Sequence, residues 1–262
     1  MKKLNKSWQI VAATVLIMSA FACNTNKNKS SIEFIPVTVT DSSSNYSDDT
    51  TMFNIIQINY LEAKSNTDDS IANIINQDFF AYLQQFFFAE NADMTMTKDN
   101  IQDIIASEIK TFIKDISEEE SLADCESCRI AELSIGSSVY QTDKIISLVY
   151  RYYQYSGGAH GDSGCMAFNY NREDGAPITI DNLTADIDEL TEIAEKAFVE
   201  QNGTLADYWF EDDRFYLPEV FYFEKNKIVF CYNIYEIAPY TAGSIILELN
   251  NDDVKHLIDY IN

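Results

Sequence analysis

Ile145-Ile146-Ser147-Leu148-Val149-Tyr150-Arg151-Tyr152-Tyr153-Gln154-Tyr155 runs directly into Ser156-Gly157-Gly158-Ala159-His160-Gly161-Asp162-Ser163-Gly164. The first part is β-branched and aromatic with a period near two, which suits a pleated surface. The second holds four of the eight glycines and one of the two histidines in the chain. Glycine at that density lets the backbone take φ > 0 and approach another group closely, and the imidazole among the glycines invites a chemical reading. Upstream, Ile130 to Tyr140 alternates in the same way across Gln141-Thr142-Asp143-Lys144, so a long hairpin is expected. Downstream, Cys165 to Tyr170 reads as another strand, and Asn171 to Gly175 supplies an Asp-Gly turn into a second arm, Pro177-Ile178-Thr179-Ile180.

Farther out the period changes. Phe34 to Thr40 and Phe53 to Tyr60 read as strands separated by a polar loop, Asp41 to Thr51. Ile71, Ile74, Ile75, Phe79, Tyr82, Leu83 and Phe86 then recur at threes and fours, as do Ile101, Ile104, Ile105, Ile109, Phe112, Ile113 and Ile116, which predicts two core-facing helices. Leu190, Ile193, Ala194, Ala197 and Phe198 mark a third helix stopped at Asn202-Gly203, where glycine can take the left-handed cap. Glu219 to Glu224 and Lys227 to Asn233 flank Lys225-Asn226 as a tight hairpin, Ser244 to Leu249 is a last strand, and Asp252 to Tyr260 a terminal helix. Helices mixed with adjacent hairpins, without regular βαβ alternation, predict an α+β fold of mainly antiparallel sheets with helices packed on them, in two intimately joined lobes.

The 262-residue chain carries a formal net charge of −24, which excludes nucleic acid as a partner and favours a cationic one. Lys2, Lys3 and Lys6 precede an almost uncharged apolar run from Ile10 to Ala22. That run is shorter than the roughly 20 residues that span a bilayer, so residues 1–22 read as a cleaved signal peptide. Cleavage before Cys23 resembles a bacterial lipoprotein box, with Ala20 where leucine is usual, and Cys23 is the expected lipidation site. Residues 23–32 then form the lipidated cysteine and a polar tether, 33–155 an N-terminal lobe and 156–262 a C-terminal lobe. Cys125, Cys128, Cys165 and Cys231 remain, an even number in an oxidising compartment, and structural disulfides are expected of them ahead of zinc or redox chemistry.

Chemistry-bearing patterns are sparse. Gly161-Asp162-Ser163-Gly164 matches the core around a trypsin-type nucleophile, but His160 sits on the same loop and His256 in the terminal helix, so the match is coincidental. There is no Gly-x-Ser-x-Gly elbow and no phosphate-cradling loop. Asp207, Glu211, Asp212 and Asp213 around Trp209 and Phe210 have the composition of a sugar-binding edge; the plainer expectation is an acidic surface loop with two buried aromatics. No catalytic residue, metal site or cofactor is expected.

Tyr155-Ser156-Gly157-Gly158-Ala159-His160, followed by Asn169-Tyr170, Gly175 and Ile178-Thr179-Ile180-Asp181-Asn182-Leu183, then Tyr232-Asn233, Tyr235-Glu236-Ile237-Ala238-Pro239-Tyr240 and Gly243, resembles the RsiV-type extracytoplasmic domain. The region before it is similar in layout to the smaller PdaC-type accessory domain that precedes it in such proteins. The resemblance implies an α+β module of the cell envelope, where one branch senses lysozyme and another accompanies glycan deacetylation. The reading is therefore an exported, membrane-anchored lipoprotein, periplasm-facing and touching the membrane through its lipid only. It is expected to bind a lysozyme-like cationic protein or peptidoglycan without catalysis. A cell-wall glycan hydrolase or deacetylase-associated enzyme, and a structural envelope lipoprotein, are the alternatives. Tyr235, Pro239 and Tyr240 are the expected ligand contacts, because a tyrosine beside a rigid proline presents contact area at little entropy cost. Gly157, Gly158 and His160 are expected to hold the architecture of their loop, the imidazole by bonding a backbone carbonyl or a nearby acid.

Overall fold

The computed structural model describes residues 31–46, 51–87, 95–118 and 131–261, so Cys23, Cys125 and Cys128 lie outside the described residues. The elements in chain order are β1 (Ile32–Tyr46), β2 (Thr51–Ser65), α1 (Ser70–Gln84), α2 (Ile101–Glu118), β3 (Glu132–Gln141), β4 (Ile145–Tyr155), β5 (Asp162–Asn171), α3 (Ile187–Asn202), β6 (Phe221–Glu224), β7 (Lys227–Tyr232), β8 (Ile245–Asn250) and α4 (Asn251–Val254). They build an α+β fold from two sheets, one of order β1-β2-β3-β4-β5 and one of order β6-β7-β8. All pairings are antiparallel except β2 with β3, whose parallel register is made possible by the long connection carrying α1 and α2.

β4 explains how the two sheets meet. Ile145 through Tyr150 are buried without alternation, because both faces of the strand are covered. Ile146, Leu148 and Tyr150 join the core beneath α1 and α2, where the rings of Tyr60 and Phe79 stack at 4.6 Å and those of Phe79 and Tyr150 at 4.9 Å. Ile145 and Val149 point the other way, into clusters shared with the second sheet. On the second sheet Phe198 of α3 is fully buried among Tyr208, Phe210, Phe215 and Tyr232, with ring centroids between 5.0 and 5.8 Å away.

The seam between the sheets is polar at its centre. The Ser147 hydroxyl donates to Asn169 Oδ1 (2.6 Å), the Asn169 amide donates to the Phe221 carbonyl (2.7 Å), and the Phe223 N–H donates back to Ser147 Oγ (3.0 Å). Both side chains are buried and each hydrogen-bonding group in this trio is partnered, as burial requires. A second bridge lies nearby, where the Asn233 side chain accepts from the Cys165 N–H (2.8 Å) and donates to its carbonyl (3.0 Å), pairing like a missing strand residue.

Several sequence expectations need correction. β1 and β2 continue through Tyr46 and from Thr51, so residues 41–46 are not loop; the antiparallel register started by the apolar residues carries the serine-rich stretch with it. The second hairpin arm shrinks to one bridge, Tyr170 with Pro177, because Thr179 and Asn182 cap a tight helical turn at Ile180–Asn182 instead. The terminal helix is a single turn, Asn251–Val254, followed by a 3-10 turn. The expected lobe boundary after Tyr155 falls inside the five-stranded sheet, since β5 is its edge strand. Cys165 and Cys231 are free, buried thiols and not half-cystines. They share one buried cluster at the seam; the interaction between the two thiols, then Arg151, lowers the Cys165 thiol, while the same interaction and burial push Cys231 up.

Candidate functional site

The opening stretch owes half of its glycines to tyrosines. Tyr152 pairs across the ladder with Gly164, and a Cβ on Gly164 would stand 2.7 Å from the Tyr152 ring; one on Gly161 would stand 2.5 Å from Tyr153. The hydroxyl ends of these rings thus occupy the space a Cβ would need, which only glycine permits. Gly157 and Gly158 take φ of 101° and 88°, turning the chain between β4 and β5, and the Tyr155 hydroxyl donates to the Gly158 carbonyl at 2.9 Å. The Tyr152 hydroxyl donates to Asp162, and burial, then that carboxylate, pushes the phenol up to about 12.

His160 leaves this loop to meet the segment after β7. Its ring stacks on Tyr240 with centroids 3.9 Å apart and planes 22° from parallel. Nδ1 is 2.9 Å from the Gly161 carbonyl, which can only accept, so Nδ1 carries the proton and Nε2 faces the Tyr235 hydroxyl at 3.4 Å. Ser163, the hydroxyl of the protease-like motif, sits in β5 opposite Tyr153, and both ring nitrogens of His160 face other groups.

The segment from Asn233 to Gly243 is fixed at both ends. Asn233 N–H donates to Glu236 (2.8 Å) and Glu236 N–H to the Asn233 carbonyl (3.0 Å), closing a turn in which Tyr235 holds φ of +68°. For a bulky residue that region costs of the order of 1–2 kcal/mol and persists only when its surroundings impose it. Ile237 and Ala238 are buried and anchor the loop, Pro239 is exposed at its crest, and Tyr240 opens a 3-10 turn ended by Gly243. The Trp209 N–H donates to the Ile237 carbonyl at 2.8 Å, laying the 208–216 loop alongside. Burial, then Glu219, raises the Glu236 carboxyl against the pull of the Asn233 N–H, and Glu236 in turn adds to the upward shift that burial gives Tyr216.

The structure therefore brings Tyr235, Pro239, Tyr240 and His160 together beside the Gly157-Gly158 turn. It adds three aromatics that sequence reading did not assign to this place. Among the described residues four aromatic side chains are conspicuously exposed, Trp209 and Tyr235 (each 54 %), Tyr216 (40 %) and Tyr153 (37 %), and all four belong to this neighbourhood. Tyr153 lies over Gly161, and Tyr216 sits by Glu236 with its ring 5.4 Å from that of Phe210. Phe210 is buried as expected, but Trp209 is not; the acid-rich loop around it was the available signal. Among the described residues no group of three or more His, Cys, Asp or Glu is placed to hold a metal ion, and no helix is long and apolar enough to cross a membrane.

Residues 46–163 match the family described as Deacetylase PdaC, and residues 178–251 match the Protein of unknown function family DUF3298. The fold is similar to a solved DUF3298 family member from Bacteroides fragilis NCTC 9343, with a TM-score of 0.68 at 21% identity over 88% of this chain and 95% of that one. It is also similar to a DUF3298 family protein from Pseudomonas aeruginosa PAO1, with a TM-score of 0.54 at 12% identity over the same shares, 88% and 95%. No curated protein matches the chain.

Proposed function

We propose that this chain, a PdaC-type region followed by a DUF3298 region, is a non-catalytic binding module of the bacterial cell envelope. It is exported, anchored through Cys23, and faces the periplasm. The observation that carries this reading is that the exposed aromatic side chains Tyr153, Trp209, Tyr216 and Tyr235 all belong to the segments that meet near the His160–Tyr240 stack, and we take them together as one aromatic face. These aromatic side chains pack on one side only, Tyr216 on Phe210 and Tyr232, Tyr153 over Gly161 and Tyr235 against Tyr240, and each leaves more than a third of its surface in water, Tyr235 on a strained backbone. They offer contact area at low entropy cost to a cationic, lysozyme-like protein or to peptidoglycan.

Full chain immobilised on a support should retain one of these two ligands, and Trp209→Ala with Tyr235→Ala should abolish that retention while leaving the fold intact. Unchanged retention by the double variant, or retention of neither ligand by the wild type, refutes the proposal. The competing reading as a wall-glycan hydrolase draws on one specific feature, the raised Glu236 carboxyl facing Glu219 beside Tyr216. It requires new reducing ends from a wall polymer incubated with the wild type and none with Glu236→Gln.

A further inference from the structure

We infer that, of the two proposed ligand classes, the aromatic face takes the wall glycan, and takes it where its sugars carry free, protonated amino groups in preference to acetamido or carboxylate groups. This rests on the reading of that face as the binding site and names the chemistry it selects.

Shape distinguishes a sugar from a protein partner. Protein hot spots insert an anchor into a desolvated socket. Two hollows of the described residues, one lined by Tyr140, Lys144 and Tyr260 and the other by Lys196, Glu200 and Asp253, include no residue of the aromatic face in their lining. What the face offers is ring area. His160 and Tyr240 lie nearly parallel, and the Tyr235 ring is 5.9 Å from that of Tyr240, tilted by 39°. A pyranose chair has an apolar C–H face that can lie on such rings while its hydroxyls stay wet, so each sugar of a chain needs a ledge and no pocket.

Charge then selects among sugars. The three stretches that form the face, residues 153–161, 207–219 and 233–243, hold six acids, no lysine and a single arginine. That arginine, Arg214, lies 3.6 Å from Asp212. Glu132 adds to the field at the other end, next to Tyr153. A carboxylate-bearing glycan meets repulsion here, a neutral one gains nothing from the acids, and a protonated amine gains both from the carboxylates and from the electron-rich ring faces.

The test is calorimetric titration of the full chain, solubilised in non-ionic detergent, with three hexasaccharides of glucosamine, N-acetylglucosamine and glucose, and with hexalysine. Glucosamine hexamer is expected to bind at least tenfold more tightly than the other two sugars and to weaken as salt rises. Tyr235→Ala and Trp209→Ala, whose side chains are exposed and whose unfolding midpoints should stay near wild type, should each cost it tenfold or more. Equal binding of the glucosamine and N-acetylglucosamine hexamers overturns the amine preference and leaves the binding face standing. Hexalysine binding as tightly as glucosamine hexamer, insensitive to both variants, shows charge alone and overturns it as well. If no sugar binds but lysozyme is retained through Tyr235 and Trp209, the glycan is wrong and the face is right. Indifference of every ligand to both variants removes the face itself.

Discussion

Replacing Asn169 by alanine tests the seam that joins the two sheets. The substitution removes the acceptor of the Ser147 hydroxyl and the donor to the Phe221 carbonyl, bonds of 2.6 and 2.7 Å between buried groups. Each such bond is worth about 1 kcal/mol net, and a carbonyl left buried without a donor adds about 1–3 kcal/mol. Together these give a loss of about 3–5 kcal/mol, a large share of the roughly 5–15 kcal/mol that holds a domain folded. Ser147→Ala should cost about as much, because it too removes two bonds, to Asn169 and from the Phe223 N–H, and orphans that N–H. The two sites share one network, so the double variant should lose less than the singles combined, by about 0.5–3 kcal/mol. Urea unfolding followed by far-ultraviolet circular dichroism measures all three. A loss below about 1 kcal/mol for Asn169→Ala, or strict additivity of the pair, would refute the claim that these atoms hold the sheets together.

Three further outcomes are expected. Tyr235→Gly should be more stable than Tyr235→Ala by about 1 kcal/mol, since both lose the ring and only glycine relaxes at φ of +68°; equal midpoints would show that the left-handed backbone carries no strain. Glu236 has a carboxyl raised by burial and Glu219, so the stability linked to its proton is full at low pH and is lost as pH climbs from the ordinary value of 4.5 through the raised one. Glu236→Gln should therefore flatten the stability–pH curve above pH 4.5, and a curve of unchanged slope there counts against the assignment. In the reduced, folded chain Cys165 and Cys231 should resist alkylation until urea unfolds it, because their side chains are 6 % and 1 % exposed; rapid labelling of either, read by mass spectrometry, contradicts the closed seam.

Much of this architecture can be read from residue order, and the parts that cannot have physical reasons. Periodicity locates α1, α2 and α3 because each buries one stripe, and β4 because its run of apolar residues is long. Periodicity cannot say that β4 is covered on both faces, which depends on strands that arrive far later in the chain. Strand ends are misread at residues 41–46, where register with β2 outweighs the polarity of Ser42, Ser43 and Ser44. At the candidate site, Tyr235, Pro239, Tyr240 and His160 are legible by type, as a histidine among glycines and tyrosines next to proline. Their assembly is not, because the loop after β4 and the segment after β7 meet only in space, 75 residues apart between His160 and Tyr235. Trp209 escapes for the opposite reason: a tryptophan is ordinarily buried, and its exposure here goes against composition.

The strand order carries a consequence for the newborn chain. In both sheets spatial neighbours are sequence neighbours, so a polypeptide emerging N-terminus first can zip each strand onto the one before it. One surface has to wait. The side of β4 and β5 that receives the second sheet stays bare until β6 appears, 52 residues after Asn169 in the case of its partner Phe221. Ser147 and Asn169, set among the modest apolar groups of Val149, Cys165 and Ala167, are side chains that water can tend in the interval. An all-aliphatic surface at this place would hold the finished molecule equally well and leave the half-made one adhesive.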